Sequence, residues 1–270
     1  MGKKQDALEE LFRRCRDRQR WDFDNELVQE VAQKHGFKNR FDLTKIDTSK
    51  NLPQLMQDED YAIVHLGKGR HRFIRGIRRV YHHFEPIDDS KDFPYPPSLL
   101  NEADSSEANI LSIAYNEGVL FDFLYKEHTP RIRPKMYISR RTQADLHYRI
   151  DNDEEIKTDQ VQMEMDLVLE QDGKVDIFEA KKVDIFEAKK GAPKDFAIYQ
   201  LYHPYLYYHK FLRGKGHEPK VRACYVLGEK RAAANRTRLR FYLYEFANPN
   251  DMTSIRLIRN REYILRKKGE

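Results

Sequence analysis

Cysteine is nearly absent: Cys15 and Cys224 are the only two in 270 residues. Two thiols cannot build a disulfide framework, a four-cysteine zinc site or a four-cysteine iron–sulfur cluster, so those chemistries drop out. Long apolar runs are missing too. No stretch approaches the roughly 18 residues that span a bilayer, and Met1 to Asp6 leads into a charged helix with no hydrophobic signal core. The expectation is a soluble, cytoplasmic protein without a membrane partner. Glycine (12) and proline (11) are too sparse for a low-complexity chain, and 40% hydrophobic with 34% charged residues is the balance of a folded one. Basic residues (49) exceed acidic ones (44) by a net charge of only +5. A basic patch, if there is one, must therefore be local.

The chain reads as two domains with a linker, which the length allows. Residues 5–20 carry Leu8, Leu11, Phe12 and Cys15 at helical spacing among charges. A second helix opens after Asp24 as N-cap and stops at Gly36, where a left-handed residue ends it. Residues 39–46 suit a third, short helix. Residues 61–74 form two β-type runs around Gly67-Lys68-Gly69, a hairpin. Helices followed by a basic hairpin is the order of a winged-helix module, so residues 1–90 are expected to be a helical, winged-helix-like DNA-binding region. Between Lys68 and Arg79 there are six Lys or Arg and no acid. Such a run is an electrostatic footprint for phosphates, and Lys68, Arg70, Arg72 and Arg75 are the candidate DNA contacts; arginine can also read guanine bidentately.

Pro86, Pro94, Pro96 and Pro97 lie within residues 86–104, so no regular element is expected there and 91–104 is read as the linker. From Ser105 a long apolar helix is expected. Strands follow at 144–150, 161–170 and 174–181, a helix at 195–212, in which Pro204 should cause a kink or split, and strands at 220–227 and 238–246. Helix, three strands, helix, two strands is a mixed α/β order.

The chemistry concentrates around Asp172-Gly173, the dipeptide of a two-residue type I′ turn. Centred there, Gln171 pairs with Lys174, and each step outward adds a pair until Asp166 stands opposite Glu179. Alternation puts Glu179 and Lys181 on one side of their strand and the cross-strand rule puts Asp166 there too. Two carboxylates can hold Mg²⁺ through oxygen while water and a phosphate take the other positions, and the ammonium can position a nucleophile or stabilise developing charge. Phosphodiester hydrolysis wants this trio.

Asp166, a dozen residues, then Glu179-x-Lys181 on the next strand, with one helix before and one after, resembles the PD-(D/E)xK nuclease superfamily over residues 105–246, with 105–270 as its domain. Met165 stands where the pattern has proline. Size and the basic N-terminal region look most like a type II restriction endonuclease. The resemblance implies a Mg²⁺-dependent, sequence-specific endonuclease on double-stranded DNA, working as a homodimer, with Asp166, Glu179 and Lys181 catalytic and the two acids on the metal. Glu107 is a further metal-site acid by resemblance, Glu164 shares the face of Asp166, and Gln200 could approach the site. The alternatives are a repair or junction-resolving nuclease of the same superfamily and a catalytically inactive DNA-binding protein. The ten histidines lack metal-ligand spacing and are read as structural or surface groups.

Residues 174–181 are followed by an identical copy, 182–189, so a second motif, Glu187-x-Lys189, exists. Eight residues preserve the face but displace it by about 26 Å of strand, so both copies cannot serve Asp166. The two-residue turn favours the first copy; the second lies directly against the helix expected near Pro193.

Overall fold

A computed structural model describes residues 2–96, 107–125, 134–171, 174–183, 193–231 and 236–267. The N-terminal region runs α1 (Lys3–Asp17), β1 (Asp22–Asp24), α2 (Asn25–Lys34), α3 (Arg40–Leu43), α4 (Gln54–Asp58), β2 (Tyr61–Gly67) and β3 (Arg70–Arg75). The apolar stripe of α1 is buried throughout, from Ala7 to Cys15. Asp24 caps α2, its Oδ1 accepting from the Glu26 and Leu27 amides at 3.1 and 3.0 Å, and Gly36 closes it at φ 62°. The three strands form an antiparallel sheet in the order β1-β3-β2. Lys68 and Gly69 both take positive φ, the two-residue turn expected of the hairpin.

After α5 (Ile77–Val80), β4 (Tyr81–His83) and β5 (Ser90–Tyr95) come α6 (Glu107–Asn116) and α7 (Val119–Tyr125). Then follow β6 (Lys135–Ala144), β7 (His147–Ile150), β8 (Glu154–Lys157), β9 (Val161–Gln171), β10 (Lys174–Val183) and β11 (Asp195–Ala197). The chain ends with α8 (Tyr199–Gly214), β12 (Lys220–Arg231), β13 (Arg236–Phe246) and β14 (Ile255–Lys267). Seven strands form one mixed sheet, β5-β14-β13-β12-β10-β9-β6. Its centre is the parallel pair β10–β12, bridged by α8; β6, β9 and β10 run antiparallel to one another. Helices α6 and α7 cover one face, where Ile110 and Phe123 share a core with Phe178, Val226 and Phe241. Helix α8 covers the other, and its Leu201, Tyr202 and Leu206 share a core with Ile177 and Tyr225 that continues into Leu8, Phe12 and Phe73 of the N-terminal region. The fold is mixed α/β, and a single core joins the N-terminal region to the sheet. Among the described residues no helix is long and apolar enough to cross a membrane.

Three expectations need correction. Residues 86–104 are not free of regular structure, because Ser90–Tyr95 pairs in parallel with β14; β5 is an edge strand, so Pro94 costs no ladder bond on its outer side. The expected long helix is broken at Gly118, whose φ of 78° ends α6 and restarts the chain as α7. Helix α8 is neither split nor interrupted at Pro204. That proline lies in the second turn, where one bond, to the Gln200 carbonyl, is lost while buried Tyr202, Tyr205 and Leu206 hold the helix on the sheet.

Candidate active site and its cleft

The β9–β10 ladder begins at Gln171 opposite Lys174 and runs to Leu167 opposite Phe178, the register that the Asp-Gly turn dictates. The ladder ends there, one step short of Asp166 and Glu179. Asp166 is half-buried. It also lies at an irregularity in β9: Val161, Met163, Met165 and then Val168 belong to the core under α8, whereas Leu167 and Leu169 belong to the core under α6 and α7. The alternation of faces thus shifts by one residue between Met165 and Val168. Across the sheet Glu179 pairs with Tyr225 and Lys181 with Leu227 in β12. The side chains of Glu179, Lys181 and Glu107 lie outside the described residues, as do Glu187 and Lys189. Among the described residues, no three His, Cys, Asp or Glu side chains cluster as a metal site.

Three positions before Glu179 in β10, Asp176 is a buried acid that sequence reasoning passed over. Asp176 receives two hydrogen bonds from Arg222, Nε to Oδ1 at 2.7 Å and Nη2 to Oδ2 at 2.9 Å. The Tyr125 hydroxyl donates to Oδ2 at 3.4 Å. Burial, and then the neighbouring Asp176 charge, push the Tyr125 phenol well above its ordinary range. This pair fastens α7, β10 and β12 together directly behind the Glu-x-Lys run. Glu164 is exposed and accepts from Arg141 at 2.6 Å and from Gln162 at 3.0 Å, so it takes part in a surface ion pair.

The basic hairpin divides. Lys68 pairs with Asp159 at 2.9 Å, Arg72 with Asp22 and Glu154, the latter at 2.7 Å, and the Arg79 guanidinium donates to the Ile150 carbonyl. All three fasten the hairpin to residues 150–159. Gly67 sits so near this segment that a Cβ would fall 2.0 Å from the Asp159 carbonyl oxygen, at a φ of 82° that also favours glycine. Arg70 and Arg75 are exposed and make no ion pair among the described residues, but they stand at opposite ends of β3. Only Lys68 and Arg70 of the four candidate contacts face a cleft.

That cleft, about 520 Å³, opens between the hairpin and the sheet. Gln162 and Glu164 of β9 line one wall. The hairpin supplies His65 and His71, whose Nδ1 atoms lie 2.9 Å apart, with His71 Nε2 3.1 Å from Asn25 Oδ1. Helix α8 supplies Tyr199, Gln200 and His203, the last 2.8 Å from the Tyr148 hydroxyl. Burial holds His65 down at about 4, and His71 and His203 at about 3, so all three are neutral at pH 7. Spacing could not find them, because they come from β2, β3 and α8 and meet only through the fold.

Two family models match the chain, one described as Domain of unknown function (DUF6997) over residues 76–264 and one as Domain of unknown function (DUF6996) over residues 5–73. Their junction falls at the end of β3. No curated protein and no solved structure matches.

Proposed function

We propose that this chain, which belongs to the family described as Domain of unknown function (DUF6997), is a Mg²⁺-dependent endonuclease of the PD-(D/E)xK kind acting on double-stranded DNA, most simply as a site-specific restriction enzyme working as a homodimer. The observation that carries this reading is the β9–β10 register, Gln171–Lys174 to Leu167–Phe178, which supports a reading in which Asp166 and Glu179 follow at the next step. The surrounding order supports it: helices on one face, three antiparallel strands, then α8 crossing to a strand parallel to the Glu-x-Lys strand. The N-terminal order of helix, strand, three helices and hairpin, with the third strand in the middle of its sheet, supports a winged-helix-like reading of that region.

Two carboxylates on neighbouring strands suit a hard cation that takes oxygen ligands and fills its shell with water and phosphate oxygen. Asp166 and Glu179 are the residues to hold it, and when bound the ion supplies a more acidic water and charge compensation at the phosphate. Lys181, two positions on in β10, orients the attacking water and stabilises charge on the phosphate oxygens. Arg70, exposed at the cleft, attracts phosphates to it, and Lys68 lines the same cleft while paired with Asp159.

The test is digestion of unmethylated plasmid DNA with and without Mg²⁺. Wild type should give discrete fragments only with the metal. Asp166→Asn and Glu179→Ala should lose several kcal/mol of transition-state stabilisation, about 10²–10³-fold in rate, with unchanged thermal melting. Glu187→Ala should cut like wild type. Full activity in Asp166→Asn would sink the reading, and loss in Glu187→Ala alone would move the site to the second copy. The tandem copy itself favours one other reading, a DNA-binding protein whose catalytic centre the insertion has inactivated. Retention of DNA without cleavage, restored to cleavage by deleting residues 182–189, would establish it.

A further inference from the structure

The cleft carries more than phosphate-attracting charge. Phe41, on α3, lines it while remaining 65% exposed, an unusual place for a large aromatic ring. The Arg40 guanidinium sits 4.7 Å from the centre of that ring. Deeper in, the His65 and Tyr199 rings meet edge-on with centroids 5.4 Å apart. Between these rings lies a set of amide side chains, Gln143, Gln162 and Gln200 among them. Gln200 is the informative one, because its carbonyl oxygen is buried and has no hydrogen-bond partner. A buried acceptor left unmatched costs about as much as a lost hydrogen bond, and a turn of this side chain into the cleft it lines would let it accept from a donor there.

Charge at the mouth, an exposed ring, and amide edges with an unmatched acceptor are three separate requirements of one ligand class. A phosphate alone would use the cations and leave the ring and the amides idle. An apolar ligand would use the ring and bury the amides unsatisfied. A nucleobase uses all of them: its face stacks on an aromatic ring, its edge pairs with glutamine, and its phosphate meets lysine and arginine. Neutral His65, His71 and His203 add polar edges without adding charge. A volume of about 520 Å³ is ample for one base and its sugar.

We propose that this cleft receives a single nucleobase from a DNA strand, stacked at Phe41 with its hydrogen-bonding edge toward Gln200. The glutamine chemistry favours adenine, which glutamine pairs bidentately through N6 and N7. For a duplex, the base must leave its stack, at a cost that a single strand does not carry. The inference rests on the nucleic-acid part of the proposed function and is independent of cleavage.

The experiment is therefore done without metal. Fluorescence anisotropy is followed for a labelled 20-nucleotide oligo-dA and for an abasic oligonucleotide of equal length and phosphate count. Wild type should hold oligo-dA at least about tenfold more tightly, the worth of one stacked base. Phe41→Ala, a change at an exposed position that folding tolerates, should erase most of that difference and leave abasic binding unchanged. Gln200→Leu should reduce it and weaken the preference for oligo-dA over oligo-dT. Equal affinity of wild type for base-bearing and abasic strands would overturn the base pocket while leaving phosphate binding intact. Failure to bind either strand would overturn the pocket and the nucleic-acid reading together.

Discussion

Two hairpins dominate the chemistry, and they treat charge in opposite ways. In β2–β3 the cations that look like a phosphate footprint in sequence are largely matched by acids of the same chain: Lys68 by Asp159 and Arg72 by Asp22 and Glu154. In β9–β10 the ladder, from Gln171–Lys174 to Leu167–Phe178, ends one step short of the proposed acids Asp166 and Glu179. Opposite charges that meet stabilise a fold modestly, whereas like charges brought together cost stability and persist where something else uses them. The matched cations of β2–β3 are structural, and under the proposed function the acids beyond the β9–β10 ladder are the ones that act.

The sharpest way to break the comparison is at the buried ion pair of the acidic hairpin, Asp176 with Arg222. Arg222→Leu would leave Asp176, 3% exposed, buried without its cation, and should cost about 3–5 kcal/mol in chemical denaturation. The double change Asp176→Leu with Arg222→Leu should recover most of that loss, since a well-packed apolar pair often replaces a buried ion pair. An equal loss in both variants would show that packing, not the uncompensated charge, is responsible.

Acid should expose the basic hairpin next. Desolvation lowers His65 to about 4 and His71 to about 3, against about 6.5 unfolded, so the unfolded chain binds more protons below pH 6.5. Stability is fully present above that pH and falls as pH drops through the window from about 6.5 to 4, by on the order of 1 kcal/mol per pH unit for each histidine. The urea midpoint measured at pH 7 and pH 5 checks this, and replacing both residues by glutamine should flatten the profile. A flat profile in wild type would mean that the pair accepts a proton in place.

Much of this was legible in the sequence, and what was not has a physical cause. The two-residue turn expected at Asp172-Gly173 predicts the observed Gln171–Lys174 register, and Asp24 and Gly36 bracket α2, because each signal acts within a few residues. Strand β14 escaped because its apolar alternation is broken by arginines; Arg261 is buried there, held by Asp89 and Asp122 from elsewhere in the chain. Strand β5 then escaped in turn, since it exists as the partner of β14. The cleft was invisible for the same reason: Phe41, His65 and Gln200 belong to three elements that only the shared core brings together.

The finest distinction lies within the basic hairpin itself. Arg72 and Arg70 are two residues apart on one strand, yet the first is engaged with two carboxylates and the second is exposed at the cleft. Arg72→Ala should cost about 1 kcal/mol of stability, the scale of a partly exposed ion pair, and change DNA affinity little. Arg70→Ala should do the reverse, leaving the melting temperature in place, weakening binding across sequences and lowering the salt slope of binding by about one. Paired denaturation and salt-dependent binding curves separate the two outcomes. If Arg70→Ala left the slope unchanged, the footprint read from six cations would have no phosphate contact at its best-placed member, and DNA would have to enter by the exposed far end of β3, at Arg75.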